Sequence, residues 1–118
     1  KSKFMLYNTK MKGVELKFDA TREGAFVILE LNSLNETERL AKFELLEQYK
    51  MLMEKNFPAG LIWNFAYELD SGREVCRIYS QKTGIDIHRR LHWMEFYRFM
   101  AEEMLKLEKA FKNCPLTP

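Results

Sequence analysis

The fold of this chain is decided by residues 61–79, which read LIWNFAYELDSGREVCRIY. Large apolar residues occupy every odd position from 61 to 69, and this period-two alternation predicts a strand with one apolar face. Ser71 and Gly72 mark a turn, and residues 73–79 read as the returning strand. The stretch therefore predicts a β-hairpin.

The length of the loop decides which residues of the hairpin share a face. A two-residue loop, Ser71-Gly72, would pair Asp70 with Arg73, which carry opposite charges. A three-residue loop would instead place Arg77 on the apolar face, where a charge without a partner is costly. We predict the two-residue loop, which puts Cys76 and Ile78 on the face of Phe65 and Tyr67.

The region before the hairpin reads as three more strands. Residues 3–7 are apolar and aromatic, residues 13–18 alternate with period two, and residues 25–31 are almost continuously apolar. A continuous apolar strand is typical of the centre of a sheet that is covered on both faces. The turn before it contains Gly24, which is free to take a positive φ.

Two helices complete the pattern. Asn35 is suited to N-cap the first, with Glu38 closing a capping box, and Pro58 ends it. A long second helix is predicted over residues 91–112, with an apolar stripe at helical spacing. The stripe consists of Trp93, Phe96, Tyr97, Met100, Met104, Leu107 and Phe111.

The predicted fold is a single α+β domain over residues 1–118. It has two layers: an antiparallel sheet of about five strands, in the order β-β-β-α-β-β-α, and two long helices packed on one face. A chain of 118 residues with 47% hydrophobic residues supports one core. The longest apolar run, residues 25–29, is far too short to cross a membrane, so no membrane partner is expected.

Charge and cysteine content restrict the partners. A net charge of +2 does not by itself imply a polyanionic partner. Cys76 and Cys114 lie far apart in the sequence and have no metal-like spacing, so we expect reduced thiols and a cytoplasmic location. No motif for a cofactor is present, and we expect none.

Glu15-Leu16-Lys17 has the E-x-K form found in nucleases related to restriction enzymes, where a companion acid helps to hold magnesium. That acid should lie upstream on a neighbouring strand, and no acid precedes Glu15. Asp19 and Glu30 follow it, in the wrong order. We therefore predict no catalytic residues in this chain.

A basic cluster precedes the last helix and could bind an anion. It consists of His88, Arg89, Arg90 and His92. Backbone N–H groups at a helix start also favour anions, and the alternative is an ordinary solvated loop. His88 and His92 could share a metal ion, but a catalytic zinc site normally takes three protein ligands, so we predict no metal site.

A second basic region could lie on the returning strand of the hairpin. With the predicted loop, Arg73, Arg77 and Tyr79 share one face, where they could contact phosphates and stack a base. An ordinary mixed-charge sheet surface is the alternative. The candidate residues for anion or nucleic-acid binding are therefore Arg73, Arg77, Tyr79, His88, Arg89, Arg90 and His92.

Five parts of the sequence carry a resemblance to a known family: Tyr7-Asn8-Thr9-Lys10, Lys17-Phe18-Asp19-Ala20, Cys76-Arg77-Ile78-Tyr79, Gly84-Ile85-Asp86-Ile87 and Trp93. On these residues the chain resembles a bacterial family, the domain of unknown function number 4268. Members of the family occur alone or attached to nuclease-like domains, and many have an additional N-terminal helix. Because this chain begins with Lys1, the resemblance implies that such a helix precedes it in the full-length protein.

Two classes of function stay open. The first is a non-catalytic interaction and assembly module, with a homodimer that would cover the wide apolar faces of the helices. The second is an accessory nucleic-acid-binding domain associated with a nuclease or defence system. The partner would then be nucleic acid or a nuclease-like domain.

Overall fold

The computed structural model describes residues 2–7, by their backbone only, and residues 11–114. The strands are β1 (Ser2–Tyr7), β2 (Val14–Ala20), β3 (Gly24–Leu31), β4 (Ile62–Glu68) and β5 (Glu74–Thr83). The helices are α1 (Glu36–Gln48), the short α2 (Lys50–Met53) and α3 (Trp93–Lys112), which follows a 3₁₀ turn at Arg90–His92.

The strands form one antiparallel sheet in the order β1-β2-β3-β5-β4. Side chains are described for the four strands β2 to β5, and β1 adds its backbone beside β2. Strand β3 lies between β2 and β5 and is buried along nearly its whole length, as its apolar sequence predicts. The predicted α+β class, the antiparallel sheet and the long C-terminal helix are therefore confirmed.

Helices α1 and α3 pack on one face of the sheet. Helix α3 lies against β2 and β3, and α1 lies against β3 and β5. Leu16, Leu29 and Ile78 occupy matched positions of three adjacent strands, and all three are fully buried in the core beneath the helices. Their alternating neighbours point to the opposite face of the sheet, which we name the open face.

The first helix is shorter than predicted. Asn35 is the N-cap, and its side chain accepts the N–H of Glu38 at 2.9 Å. The helix stops at Gln48, and Tyr49 interrupts it before α2, so the expectation of two long helices is correct for α3 alone. No glycine or proline marks the interruption, and for that reason the sequence did not indicate it.

The hairpin loop has three residues, so the two-residue prediction was wrong. The N–H of Leu69 donates to the carbonyl of Arg73 and the N–H of Gly72 donates to the carbonyl of Leu69, each at 2.8 Å. Gly72 has a φ of 88°, which suits the last position of such a loop. Arg77 consequently lies on the face of Tyr67, the arrangement rejected because the arginine lacked a partner.

A bulge in β4 separates the two halves of the hairpin. The register shifts between Asn64 and Tyr67, so that Trp63 pairs with Ile78 and Tyr67 pairs with Val75. Trp63 faces the helices and lies against Phe43, with ring centroids 6.0 Å apart. Phe65 is left 62% exposed. The single apolar face predicted for this strand is therefore divided between the two sides of the sheet.

Gly24 begins β3 directly after the turn from β2, where the backbone of β5 approaches closely. Its φ is 154°, and a Cβ there would collide with the carbonyl oxygen of Lys82 on β5. Gly84 has a φ of 84°, but a Cβ there would meet no atom within 4 Å. A side chain at Gly24 would therefore cause a steric collision, whereas one at Gly84 would cause backbone strain alone.

We expect Gly24→Ala to lower the free energy of unfolding by more than about 3 kcal/mol, and Gly84→Ala by about 1 kcal/mol, because only the first forces two central strands apart. Urea unfolding followed by circular dichroism measures both. Equal losses in the two variants would contradict this account.

Candidate functional site

The seven predicted binding residues do not converge on one surface. Arg73 lies at the start of β5, whereas the cluster from His88 to His92 follows its end. Strand β5 has ten residues, so at about 3.3 Å per residue the two groups are about 30 Å apart. The N–H of Ile87 donates to the carbonyl of Thr21 at 3.1 Å, which fixes the second group beside the β2–β3 turn.

The cluster before α3 is organised around Asp86. Its N–H donates to Nδ1 of His92 at 2.9 Å, and its carboxylate accepts the N–H of His88 at 2.9 Å. His92 thus shapes the loop with one of its two ring nitrogens, while His88, Arg89 and Arg90 are exposed. Within residues 2–7 and 11–114, no group of three or more His, Cys, Asp or Glu side chains is placed to hold a metal ion.

Arg73 also makes an internal contact. Its Nη2 donates to the backbone carbonyl of Asn32, which joins the hairpin to the end of β3. Tyr79 lies on the open face, with its ring edge-on to Phe26 at 6.2 Å between centroids. Arg77 is buried in the same face, and its surroundings differ most from the prediction.

Arg77 forms a buried ion pair with Glu30. Its Nε donates to Oε1 of Glu30 at 3.0 Å, and its Nη2 lies 2.9 Å from the same oxygen. The two residues pair directly across β3 and β5 and are only 3% and 1% exposed. Tyr67 covers the other side of the guanidinium, 4.1 Å from its ring centroid.

Glu30 is hydrogen-bonded through both of its oxygens. Oε2 accepts from Nζ of Lys17 at 2.7 Å and from Nδ2 of Asn32 at 3.1 Å. Lys17 also lies 3.1 Å from Glu15, which accepts a second hydrogen bond from Asn32. We call Glu15, Lys17, Glu30, Asn32 and Arg77 the open-face network.

Within the network, the pKa values of Glu30 and Lys17 are shifted. Burial alone would raise the pKa of Glu30, but hydrogen bonds from Lys17 and Asn32 and the charges of Lys17 and Arg77 outweigh it and hold that pKa below its ordinary value. Burial likewise opposes the charge of Lys17, yet its hydrogen bond and attraction to Glu30 raise the pKa of Lys17. Both groups are therefore stabilised in their charged forms.

The structure supplies the acid that the E-x-K motif lacked in the sequence. Glu30 pairs with Glu15 across β2 and β3, although it follows the motif in the chain. Each oxygen of Glu30 is already taken by Lys17, Asn32 or Arg77, so this carboxylate neutralises cations of the chain itself. The geometry gives the motif a structural use.

A cavity of about 300 Å³ opens beside the network on the open face. It is lined by Asp19, Thr21, Glu23, Phe26, Ile28, Tyr67, Arg77 and Tyr79. Sequence reasoning missed Asp19, Phe26 and Tyr67. Period-two alternation on β2 and β3 could have placed Asp19 and Phe26 there, whereas Tyr67 required the correct hairpin register.

An exposed apolar surface lies along α3. Met94, Tyr97 and Leu105 are 67%, 60% and 67% exposed, and with Ala101 they form one flank of the helix. We call these four residues the α3 stripe. A groove of about 500 Å³ lies between it and Phe18 of β2, and Met100 and Met104 form its floor.

Comparisons with known proteins identify one family. The family model described as Domain of unknown function (DUF4268) matches residues 1–114. No curated protein and no solved structure matches the chain. Among the described residues, no helix combines the length and the apolar composition that a membrane span requires.

The buried pair generates a prediction for stability. We expect Glu30→Leu and Arg77→Met each to lower the free energy of unfolding by about 3–5 kcal/mol, because each leaves a buried charge without its partner. The double variant should lose less than the sum of the two, because neither charge is then left over. Urea unfolding of the four proteins measures the coupling, and additive losses would contradict it.

The lowered pKa of Glu30 predicts loss of stability in acid. The ordinary pKa is 4.5, so the contribution of Glu30 is complete above about pH 5 and is lost as the pH falls through the lower folded-state pKa. Glu30→Gln should therefore be less stable at neutral pH but flatter between pH 5 and pH 2. Glu54, whose pKa is also lowered, leaves a residual slope that Glu54→Gln should remove.

The measurement is the urea midpoint as a function of pH for the wild type and both variants. A Glu30→Gln profile that runs parallel to the wild type would show that Glu30 does not titrate differently in the folded and unfolded states.

Proposed function

The chain belongs to the family Domain of unknown function (DUF4268), and we propose that it works as a non-catalytic module that assembles with a second copy of itself. The observation that carries the proposal is the α3 stripe. Large apolar side chains on a helix that is otherwise packed into a core are typical of a surface that is covered in the working assembly.

The sequence of α3 is complementary to itself in an antiparallel arrangement. In a pair related by a twofold axis at the level of residue 99, Tyr97 of each copy faces Ala101 of the other, a large side chain against a small one. Met94, five residues before the axis, then lies close to Leu105, six residues after it. A twofold interface requires this kind of reciprocity, because one surface must fit its own copy.

Charges at the two ends of the stripe fit the same arrangement. Arg90 and Glu108 lie nine residues on either side of residue 99, so each arginine would face a glutamate of the other copy. Arg90 is exposed and its guanidinium lies 5.6 Å from the ring centroid of Trp93, at the margin of the stripe. Opposite charges at a rim favour one register more than they add affinity.

Several groups that could serve chemistry are engaged within the chain, which supports a non-catalytic role. Glu30 is bound on both oxygens by Lys17, Asn32 and Arg77. Cys76 and Cys114 are free and buried, and burial raises the pKa of both thiols, which keeps them protonated. Buried reduced thiols also fit the cytoplasmic location that we propose.

An accessory nucleic-acid-binding role, in company with a nuclease-like domain, is the second candidate. Its support is the exposed trio His88, Arg89 and Arg90 beside the start of α3. Arg77 adds little, because its charge is neutralised by Glu30. If Arg89 and Arg90 contact nucleic-acid phosphates, the affinity for nucleic acid should fall steeply from low to physiological salt.

The mass of the protein in solution tests self-assembly. We expect a dimer by sedimentation equilibrium at micromolar to high micromolar concentration. The Ala101→Arg variant should be a monomer, because a charged side chain would lie at the centre of the proposed dimer interface. Glu102→Arg, one residue along the helix and directed away from the stripe, is the matched control and should leave the dimer intact.

Charge reversal tests the register. Arg90→Glu and Glu108→Arg should each weaken the dimer about threefold to tenfold by placing like charges opposite each other, and the double variant should restore it. A wild type that stays monomeric at high micromolar concentration, or a Glu102→Arg variant that dissociates as readily as Ala101→Arg, would refute the proposal.

A further inference from the structure

The cavity on the open face contains polar groups that the fold leaves unused. Within the described part of the chain, Nη2 of Arg77 and Oδ1 of Asp19 are buried and have no hydrogen-bond partner. Both residues line the cavity. An unsatisfied buried polar atom is unfavourable in a folded protein, and its retention beside a cavity points to a ligand that satisfies it.

Arg77 is held rigidly for such a contact. Glu30 fixes its Nε, the ring of Tyr67 covers one side of its guanidinium, and Lys17 and Asn32 in turn fix Glu30. Nη2 of Arg77 lies 2.9 Å from Oε1 of Glu30 as an ion pair without hydrogen-bond geometry, so its hydrogens make no hydrogen bond within the described part of the chain. A donor held by its neighbours loses little entropy when it binds.

The remaining walls define the shape of the ligand. Phe26 and Tyr79 contribute aromatic rings set edge to face, Tyr67 contributes a third ring, and Ile28 forms an apolar floor. Aromatic walls with a few fixed polar groups favour a flat ring system. The ring needs an acceptor for Arg77 and a donor for the carboxylate of Asp19.

The charges around the cavity exclude a phosphate as the group that enters it. Asp19 and Glu23 line the cavity with two carboxylates, and the single guanidinium is already balanced by Glu30. A neutral ring is compatible with this balance, whereas an anion would face net negative charge. Nucleobases combine flatness, neutrality, donors and acceptors on one edge.

We propose that this cavity binds a nucleobase, which stacks on Tyr79 while Arg77 donates to a ring acceptor and Asp19 accepts from a ring donor. The site is separate from the α3 stripe, which lies on the helix side of the sheet, and does not depend on self-assembly. The base can come from a free nucleoside or from single-stranded nucleic acid, since both present the same edge.

Titration of the full chain with guanosine, adenosine, cytidine and uridine tests the site, followed by backbone amide NMR shifts. At least one nucleoside should give saturable shifts at Phe26, Tyr67 and Tyr79. Tyr79→Ala should weaken that binding at least tenfold, because stacking contributes most of the contact. Gln81→Ala, on the same face of β5 but outside the cavity, is the control and should bind as the wild type does.

Asp19→Asn provides a second variant that keeps the size of the side chain. It should also weaken binding at least tenfold, and because it removes a charge from the carboxyl group whose Oδ1 is buried and unpaired, its melting temperature should equal or exceed that of the wild type. An isosteric change that only damaged the fold would lower the melting temperature instead.

Short single-stranded oligonucleotides identify the source of the base. Binding at least tenfold tighter than the matching nucleoside, and weaker in high salt, assigns the site to nucleic acid; equal binding assigns it to a free nucleoside. Absence of saturable shifts with every nucleoside and oligonucleotide would overturn the proposal. Binding that Tyr79→Ala and Asp19→Asn leave unchanged would overturn it as well.

Discussion

The buried ion pair between Glu30 and Arg77 is the constraint on which the rest of the sheet depends. Taking two charges out of water is tolerable only when they meet at close range and most of their polar atoms are hydrogen-bonded, as both oxygens of Glu30 are. Here the requirement fixes β3 against β5 at one step of the register. A slip of one residue would expose the leucines of the core and separate the charges at the same time.

The pair also marks the difference between the two faces of the sheet. The helix side is apolar and is filled by α1 and α3. The open face contains the polar network around Glu30. Val75 and Ile28 lie on the same face, and their side chains are almost fully buried. The open face is therefore a second ordered layer of side chains, and the cavity beside it has walls that hold their positions.

The sequence predicted those features of the fold that depend on the pattern of neighbouring residues. The apolar run of β3 identified the central strand, and Asn35 identified the start of α1. The hairpin register failed because Arg77 was judged without a partner, and that partner lies 47 residues away in the chain. A contact of that range leaves no trace in local alternation.

The candidate site was predictable only in part, for related reasons. Tyr79 was placed correctly on the open face, but the cluster from His88 to His92 lies at the opposite end of β5 from Arg73. A count of charges over a segment does not show how far apart in space the charged residues at its two ends lie. Glu30 was dismissed because of its order in the chain, although register alone determines which acid lies beside Glu15.

The bulge in β4 has a consequence for how this protein meets its neighbours in a crowded solution. An outer strand with free backbone groups is a template for uncontrolled sheet growth. Here the N–H of Ala66 donates to Oδ1 of Asn64 at 3.0 Å, and the carbonyl of Phe65 accepts from Sγ of Cys76 at 3.2 Å. The carbonyl of Phe65 is thus taken by β5 and the N–H of Ala66 by its own strand, so an incoming strand would meet an interrupted ladder at the kink, beside the exposed ring of Phe65.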